Sequence, residues 1–256
     1  MRVATRTSSA TRVASSAGSR RARDCRSPML VAADGADGLA PLAPYDRIIA
    51  TCAVPWIPPA WIEQLRPGGV MLVDVRGTMS AGNIAKLHRR DGDVVEGRLW
   101  AEYGGFMGMQ HELAVHPGRS CPTDTAHTIE RTSVAGPEVV GGPDGPLAFF
   151  VQLHLPTGTQ LRQAGEGDDL VTRLVAPDGS WSDVSHASDP SHRYQVVEGG
   201  PQPLWRMVEA ALERYVALGR PAWQRFGITA STSAQHVWLD SPDSGLTWPI
   251  AETSFP

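Results

Sequence analysis

Two largely apolar runs, Asp46–Thr51 (DRIIAT) and Val70–Val75 (VMLVDV), constrain this chain more than anything else in it. Between them Pro55, Pro58 and Pro59 break the backbone, and Arg66-Pro67-Gly68-Gly69 is a strong turn signal. Pro59 suits the first turn of a short helix, Pro59–Leu65. Strand, helix, turn and strand at this spacing predict a βαβ unit, with parallel strands in a sheet covered on its faces. A further run, Met29–Ala33, lies between Pro28 and Asp34-Gly35 and has the length of a buried strand.

The rhythm then changes. Asn83–Arg90 and Asp93–Trp100 flank Asp91-Gly92, a dipeptide that favours a tight hairpin. Tyr103–Gln110 is expected to add an edge strand, although its glycines weaken it. Residues 117–145 are rich in Pro, Gly and Thr and read as a connector. Beyond them Leu147–Leu155 and Leu170–Ala176 are expected to be strands, and Trp181 opens another after the turn Pro177-Asp178-Gly179-Ser180. Pro203–Leu218 has the clearest helical spacing, with Leu204, Val208, Ala211, Leu212 and Tyr215 on one stripe and Gly219 as the stop. The expected division is therefore a leader at 1–27, an α/β unit at 28–116, a connector at 117–145 and a smaller α+β unit at 146–256.

The leader differs in charge from the rest. Residues 1–27 hold seven arginines and one acid, a balance of +6 in a chain of net charge −4, so residues 28–256 carry −10. Neither helical nor strand period organises its apolar residues, and disorder is the expectation. Three readings compete: an organellar transit peptide, a basic tail for an acidic partner, or out-of-frame sequence replacing something else. The third is favoured, because the fold begins abruptly near Met29. The overall charge gives no argument for nucleic acid or an anionic membrane as partner, and no apolar run approaches the length of a membrane span. Three unpaired-looking cysteines, Cys25, Cys52 and Cys121, favour a reducing cytoplasm.

Four motifs in order carry a specific resemblance. They are Asp34-Gly35, Ala43-Pro44-Tyr45-Asp46 with Ile48, Thr51-Cys52-Ala53-Val54-Pro55, and Leu65-Arg66-Pro67-Gly68-Gly69. Together, over Met29–Met109, they resemble the second half of the S-adenosylmethionine-dependent methyltransferase domain of protein-L-isoaspartate O-methyltransferases. The carboxy-terminal half resembles, less specifically, actinobacterial relatives associated with modified peptides. The resemblance implies a partial Rossmann-like α/β sheet lacking its first strands. It implies methylation of an aspartyl or isoaspartyl carboxylate in a peptide or protein. It places Asp34 and Gly35 at the cofactor's adenine, and Thr51, Cys52, Ala53 and Val54 on the floor of the reaction site. Ligands in such folds sit beyond the carboxyl ends of parallel strands, where both turns are expected. In-line methyl transfer needs positioning rather than a protein nucleophile.

The family's Gly-rich cofactor loop and the acid that holds the ribose are not found ahead of Asp34. S-adenosyl-L-methionine is therefore expected to bind weakly or not at all, and a truncated, inactive relative that binds peptides is the alternative. Taken alone, Asp34 is a turn residue, Asp46 a cap and Cys52 a small buried hydrophobe. His111, His116, Cys121 and His127 have no zinc-ligand spacing and read as loop residues. Trp205, Trp223 and Trp238 read as core rings, with a peptide groove as the alternative.

Overall fold

In the computed structural model the described residues are 29–109, 128–142, 145–251. The leader reading and the His111, His116, Cys121 and His127 reading fall outside them.

The first strand, β1 (Tyr45–Val54), is followed by α1 (Pro59–Gln64) and β2 (Leu65–Arg76). β1 and β2 pair in parallel, with Ile48 opposite Met71 and Ile49 opposite Leu72. The expected βαβ unit is thus present. Its crossover is short, and it closes because Trp61 and Ile62 of α1 are buried in the core that includes Ile48 and Met71. β3 (Gly82–Arg89) and β4 (Val94–Leu99) form the expected antiparallel hairpin, with Gly92 at φ +74° in its turn.

Two short elements, β5 (Ile129–Ser133) and α2 (Glu138–Gly141), fall in the stretch read as a connector. Next come α3 (Gly145–Gln152), β6 (Gln160–Ala164), β7 (Val171–Val175), β8 (Trp181–Ser188) and β9 (Tyr194–Gly199). α4 (Leu204–Ala217) precedes β10 (Phe226–Ser231), β11 (Gln235–Leu239) and β12 (Thr247–Ile250).

Two sheets result. The larger runs β1-β2-β3-β4-β10-β11-β12, and the smaller, antiparallel, runs β5-β9-β8-β7-β6. The molecule is a mixed α/β protein in which only the β1–β2 pairing of the large sheet is parallel among the described strands. The last three strands extend the sheet begun by the first four, since β10 pairs antiparallel with β4, Ile228 opposite Gly97. The 28–116 and 146–256 segments therefore share one sheet. Pairing β4 with β10 removes an exposed edge that either segment alone would leave.

Three expected elements differ. Met29–Ala33 is not a strand: Met29 and Leu30 are 57% and 77% exposed. An apolar run becomes a strand only where a neighbour supplies hydrogen bonds, and no described strand lies beside it. Tyr103–Gln110 gives one isolated parallel bridge, Ala53 to Gly108, rather than a strand; Gln110 lies outside the described residues. Leu147–Leu155 is largely helical, as α3. Leu147 to Val151 are all buried, so the run shows no one-sided period, and a buried helix and a buried strand read alike.

The core forms where α3 meets the large sheet and α4 packs between α3 and the small sheet. Phe149 stands edge-on to Phe226, ring centroids 5.6 Å apart, and Phe150 packs 5.6 Å from Tyr215 of α4. Trp205 and Trp223 are core rings as expected; Trp238 is buried too, but outside the core cluster, under the Arg98 guanidinium at 4.8 Å. α4 is tied to the small sheet through buried Glu198, which accepts from the Trp205 N–H (3.0 Å) and from Arg131 Nε (3.0 Å).

Candidate functional site

The site lies along β1, from Tyr45 to Cys52. The turn Asp34–Gly38 comes first in the chain. Asp34 Oδ1 accepts the Ala36 N–H (2.9 Å), and Gly38, at φ +62°, donates to Gly35 O (3.2 Å). Two side chains of α1 clamp this turn. Trp61 Nε1 donates to Gly35 O (2.7 Å), Gln64 Nε2 donates to Asp37 O (2.8 Å), and Gln64 Oε1 accepts the Leu39 N–H (2.8 Å). Tyr45, at the start of β1, donates its hydroxyl to Leu39 O (2.5 Å), and burial raises its phenol pKa above 10.0. The turn therefore rests on the crossover it precedes, and Gln64, a buried polar residue, has partners on both its amide atoms.

Gly35 and Cys52 line the same hollow, with Ile48, Ile49, Ala50 and Trp61 among its other walls. The two sequence-predicted segments are thus brought together, but Thr51–Val54, expected as a turn after the strand, is the last part of β1, because its pairing with β2 continues to Val54 opposite Val75. The four reaction-site candidates are not placed alike, however. Cys52 is half-buried at the hollow, Thr51 is exposed, and Ala53 and Val54 are buried within the sheet and do not line it. The cavity measures about 20 Å³, enough for about one water and far below a nucleoside.

The fit to S-adenosyl-L-methionine is correspondingly partial. The apolar walls suit the adenine end, and Asp34, exposed and next to Gly35, is not itself among them. The volume does not suit the whole molecule, and the walls supply no run of backbone N–H groups for its amino-acid part. The described residues do not by themselves form the complete cofactor site.

A second group of residues fixes the strand ends and was not anticipated from sequence. Asp74 of β2 is fully buried opposite Ala53, and Arg76, two residues on and on the same face, is 8% exposed. Arg76 donates to Asp74 (3.2 Å), to Ser80 O (2.8 Å), to the Tyr103 hydroxyl (3.3 Å) and to Gly104 O (3.3 Å). Asp74 Oδ2 also accepts the Phe106 N–H (2.8 Å). Buried Asn83 of β3 donates to Trp100 O (3.0 Å) and Glu102 O (3.1 Å) and accepts from the Gly104 N–H (2.9 Å). These three side chains draw residues 100–109 across the strand ends. There Ala53 N donates to Met107 O and Ala53 O accepts from Met109 N, both at 2.8 Å. The available signal was Asp74 itself, an acid inside an apolar strand with an arginine two residues later.

A larger hollow, about 90 Å³, opens on the other side of the β1 terminus. Pro55, Gly77, Thr78, Gln152, Thr159 and Pro249 are among its walls. Its polar groups are mutually satisfied: Thr78 Oγ1 donates to Thr159 O (2.6 Å), and Gln152 links Met79 N (3.1 Å) to Ala81 O (3.2 Å). Among the described residues no His, Cys, Asp and Glu group could hold a metal ion, and no helix is long and apolar enough to cross a membrane.

Comparison with known proteins places the first part of the chain. Residues 7–101 match the family model "Protein-L-isoaspartate(D-aspartate) O-methyltransferase". That match begins well ahead of Met29, inside the segment read as a leader. A protein-L-isoaspartate O-methyltransferase of Cytophaga hutchinsonii is 48% identical over 42 residues, 16% of this chain and 19% of that protein. One of Methanosarcina mazei is 39% identical over 69 residues, 24% of this chain and 28% of that protein. The matches thus span under a third of the relatives' length. A solved protein-L-isoaspartate O-methyltransferase aligns with a TM-score of 0.39 and 18% identity, over 83% of this chain and 60% of its own, which is too low to argue from.

Proposed function

We propose, from the premise that residues 7–101 belong to the protein-L-isoaspartate O-methyltransferase family, that the chain derives from an S-adenosyl-L-methionine-dependent enzyme. Its reaction is methylation of an aspartyl or isoaspartyl carboxylate in a peptide or protein. One observation supports this most: Gly35, beside Asp34, and Cys52, in the segment expected to floor the reaction, line one hollow along the parallel strand β1. Asp34 and Gly35 take the adenine side. Thr51 to Val54 form the floor, with Cys52 at the surface and Ala53 and Val54 as its buried support.

Activity in this chain is impaired. Cofactor binding needs a run of backbone donors that the described residues do not supply at this hollow, and the hollow is too small without them. That same observation favours a second reading, an inactive relative whose remaining role is peptide binding.

A radiolabelled methyl-transfer assay with an isoaspartyl peptide tests the proposal. The chain alone is expected to transfer no label above background, and addition of the first half of a complete relative is expected to restore transfer. Full transfer by the chain alone would overturn the impairment. A failure of complementation, with the peptide still bound, would favour the second reading.

A further inference from the structure

His154 sits just beyond α3, between the core and the last strand of the large sheet. Its Nδ1 lies 2.8 Å from Phe150 O and its Nε2 lies 3.2 Å from Trp248 Nε1. Both partners are one-directional: a carbonyl only accepts and an indole N–H only donates. The imidazole must therefore carry its proton on Nδ1 and present a bare Nε2 to Trp248. A doubly protonated ring cannot satisfy this pair, because two N–H donors would then face each other.

Trp248 is what seats β12. Its ring stands edge-on to Phe150 at 5.3 Å and lies 5.4 Å from the His154 ring. β12 ends the sheet and pairs with β11, Trp248 opposite Val237. The residues that follow, Pro249, Ile250 and Ala251, wall the larger hollow.

We propose that His154 and Trp248 form a pH-operated latch, which holds β12 against the larger hollow when His154 is neutral and releases that wall when the ring is protonated. The charged surroundings favour the neutral form. Burial lowers the pKa of His154 below 6.5, Arg214 of α4 adds to the lowering, and the Phe150 carbonyl opposes it. α3 and β12 contain no charged residue, and His236 of β11, opposite Pro249, projects to the other face of the sheet. An unfolded chain takes up the proton near 6.5, whereas the folded chain resists it. The stabilisation from the latch is therefore complete above that pH and is lost as pH falls below it.

Hydrogen exchange at the β11–β12 amides, corrected for intrinsic rates, tests the latch at about pH 7.5 and about pH 5.5, which bracket histidine titration. The native chain is expected to lose about tenfold in protection at the lower pH, as for one lost hydrogen bond. His154→Gln keeps an acceptor for Trp248 at every pH, and Trp248→Phe removes the donor that a protonated ring would meet. Both are expected to abolish the step. A native chain without the step, or a step surviving in either folded variant, overturns the proposal. So does a nitrogen-15 spectrum showing the neutral ring protonated on Nε2.

Discussion

The two hollows beside β1, one along it and one past its end, are built on opposite principles. The smaller is made from residues that stand in recognisable motifs, yet they are spent on one another: Trp61, Gln64 and Tyr45 all donate to backbone carbonyls of residues 35–39. The larger is about 90 Å³ against about 20 Å³, and none of its walls was singled out by sequence as a site. Chemical signature and open space have come apart. A motif records how a turn is held against its strand, whereas volume depends on every segment that packs nearby.

Substitutions can sharpen or break this contrast. The largest effect is expected at the carboxyl ends of β1 and β2, where Asp74 lies opposite Ala53. Asp74→Ala leaves Arg76 buried without its carboxylate, and should cost about 3–5 kcal/mol in urea unfolding. A cost below about 1 kcal/mol would show that solvent reaches the pair, as it does for exposed ion pairs. Next is Gly38→Ala on the smaller hollow's side. Its φ of +62° and a Cβ position 2.4 Å from Gln64 Oε1 predict about 1–3 kcal/mol, with loss of the Gln64 clamp. Trp61→Phe keeps the apolar wall but strips the donor from Gly35 O, and should cost about 1 kcal/mol. At the small end, the Arg66–Asp46 pair has side chains 51% and 77% exposed. Asp46→Asn should move stability by under about 0.5 kcal/mol, which makes it the control for the other three.

Much of the first half was legible in the sequence because its signals are local. β1, α1 and β2 follow from two apolar runs and a proline-led crossover, and the β3–β4 hairpin follows from Asp91-Gly92. α4 follows from a stripe of apolar residues ended by Gly219, at φ +78°. The smaller hollow was legible as two segments, although that Thr51 to Val54 continue β1 rather than turn, and which of them face the hollow, was not, because both depend on pairing with β2 and its register shift between Ile49 and Ala53. The remainder depended on distant partners. α3 is buried without interruption from Leu147 to Val151 and so carries no period. Met29–Ala33 has strand composition but no neighbour. That β10 joins β4 depends on residues more than a hundred positions apart, Ile228 and Gly97, and no local pattern encodes it.

Calorimetric titration of S-adenosyl-L-methionine into the purified chain tests the central claim most directly. A turn clamped by its own helix, over a hollow the size of a water, predicts no saturable heat at micromolar ligand. One-to-one binding with a Kd in the micromolar range, about −8 kcal/mol, would contradict it.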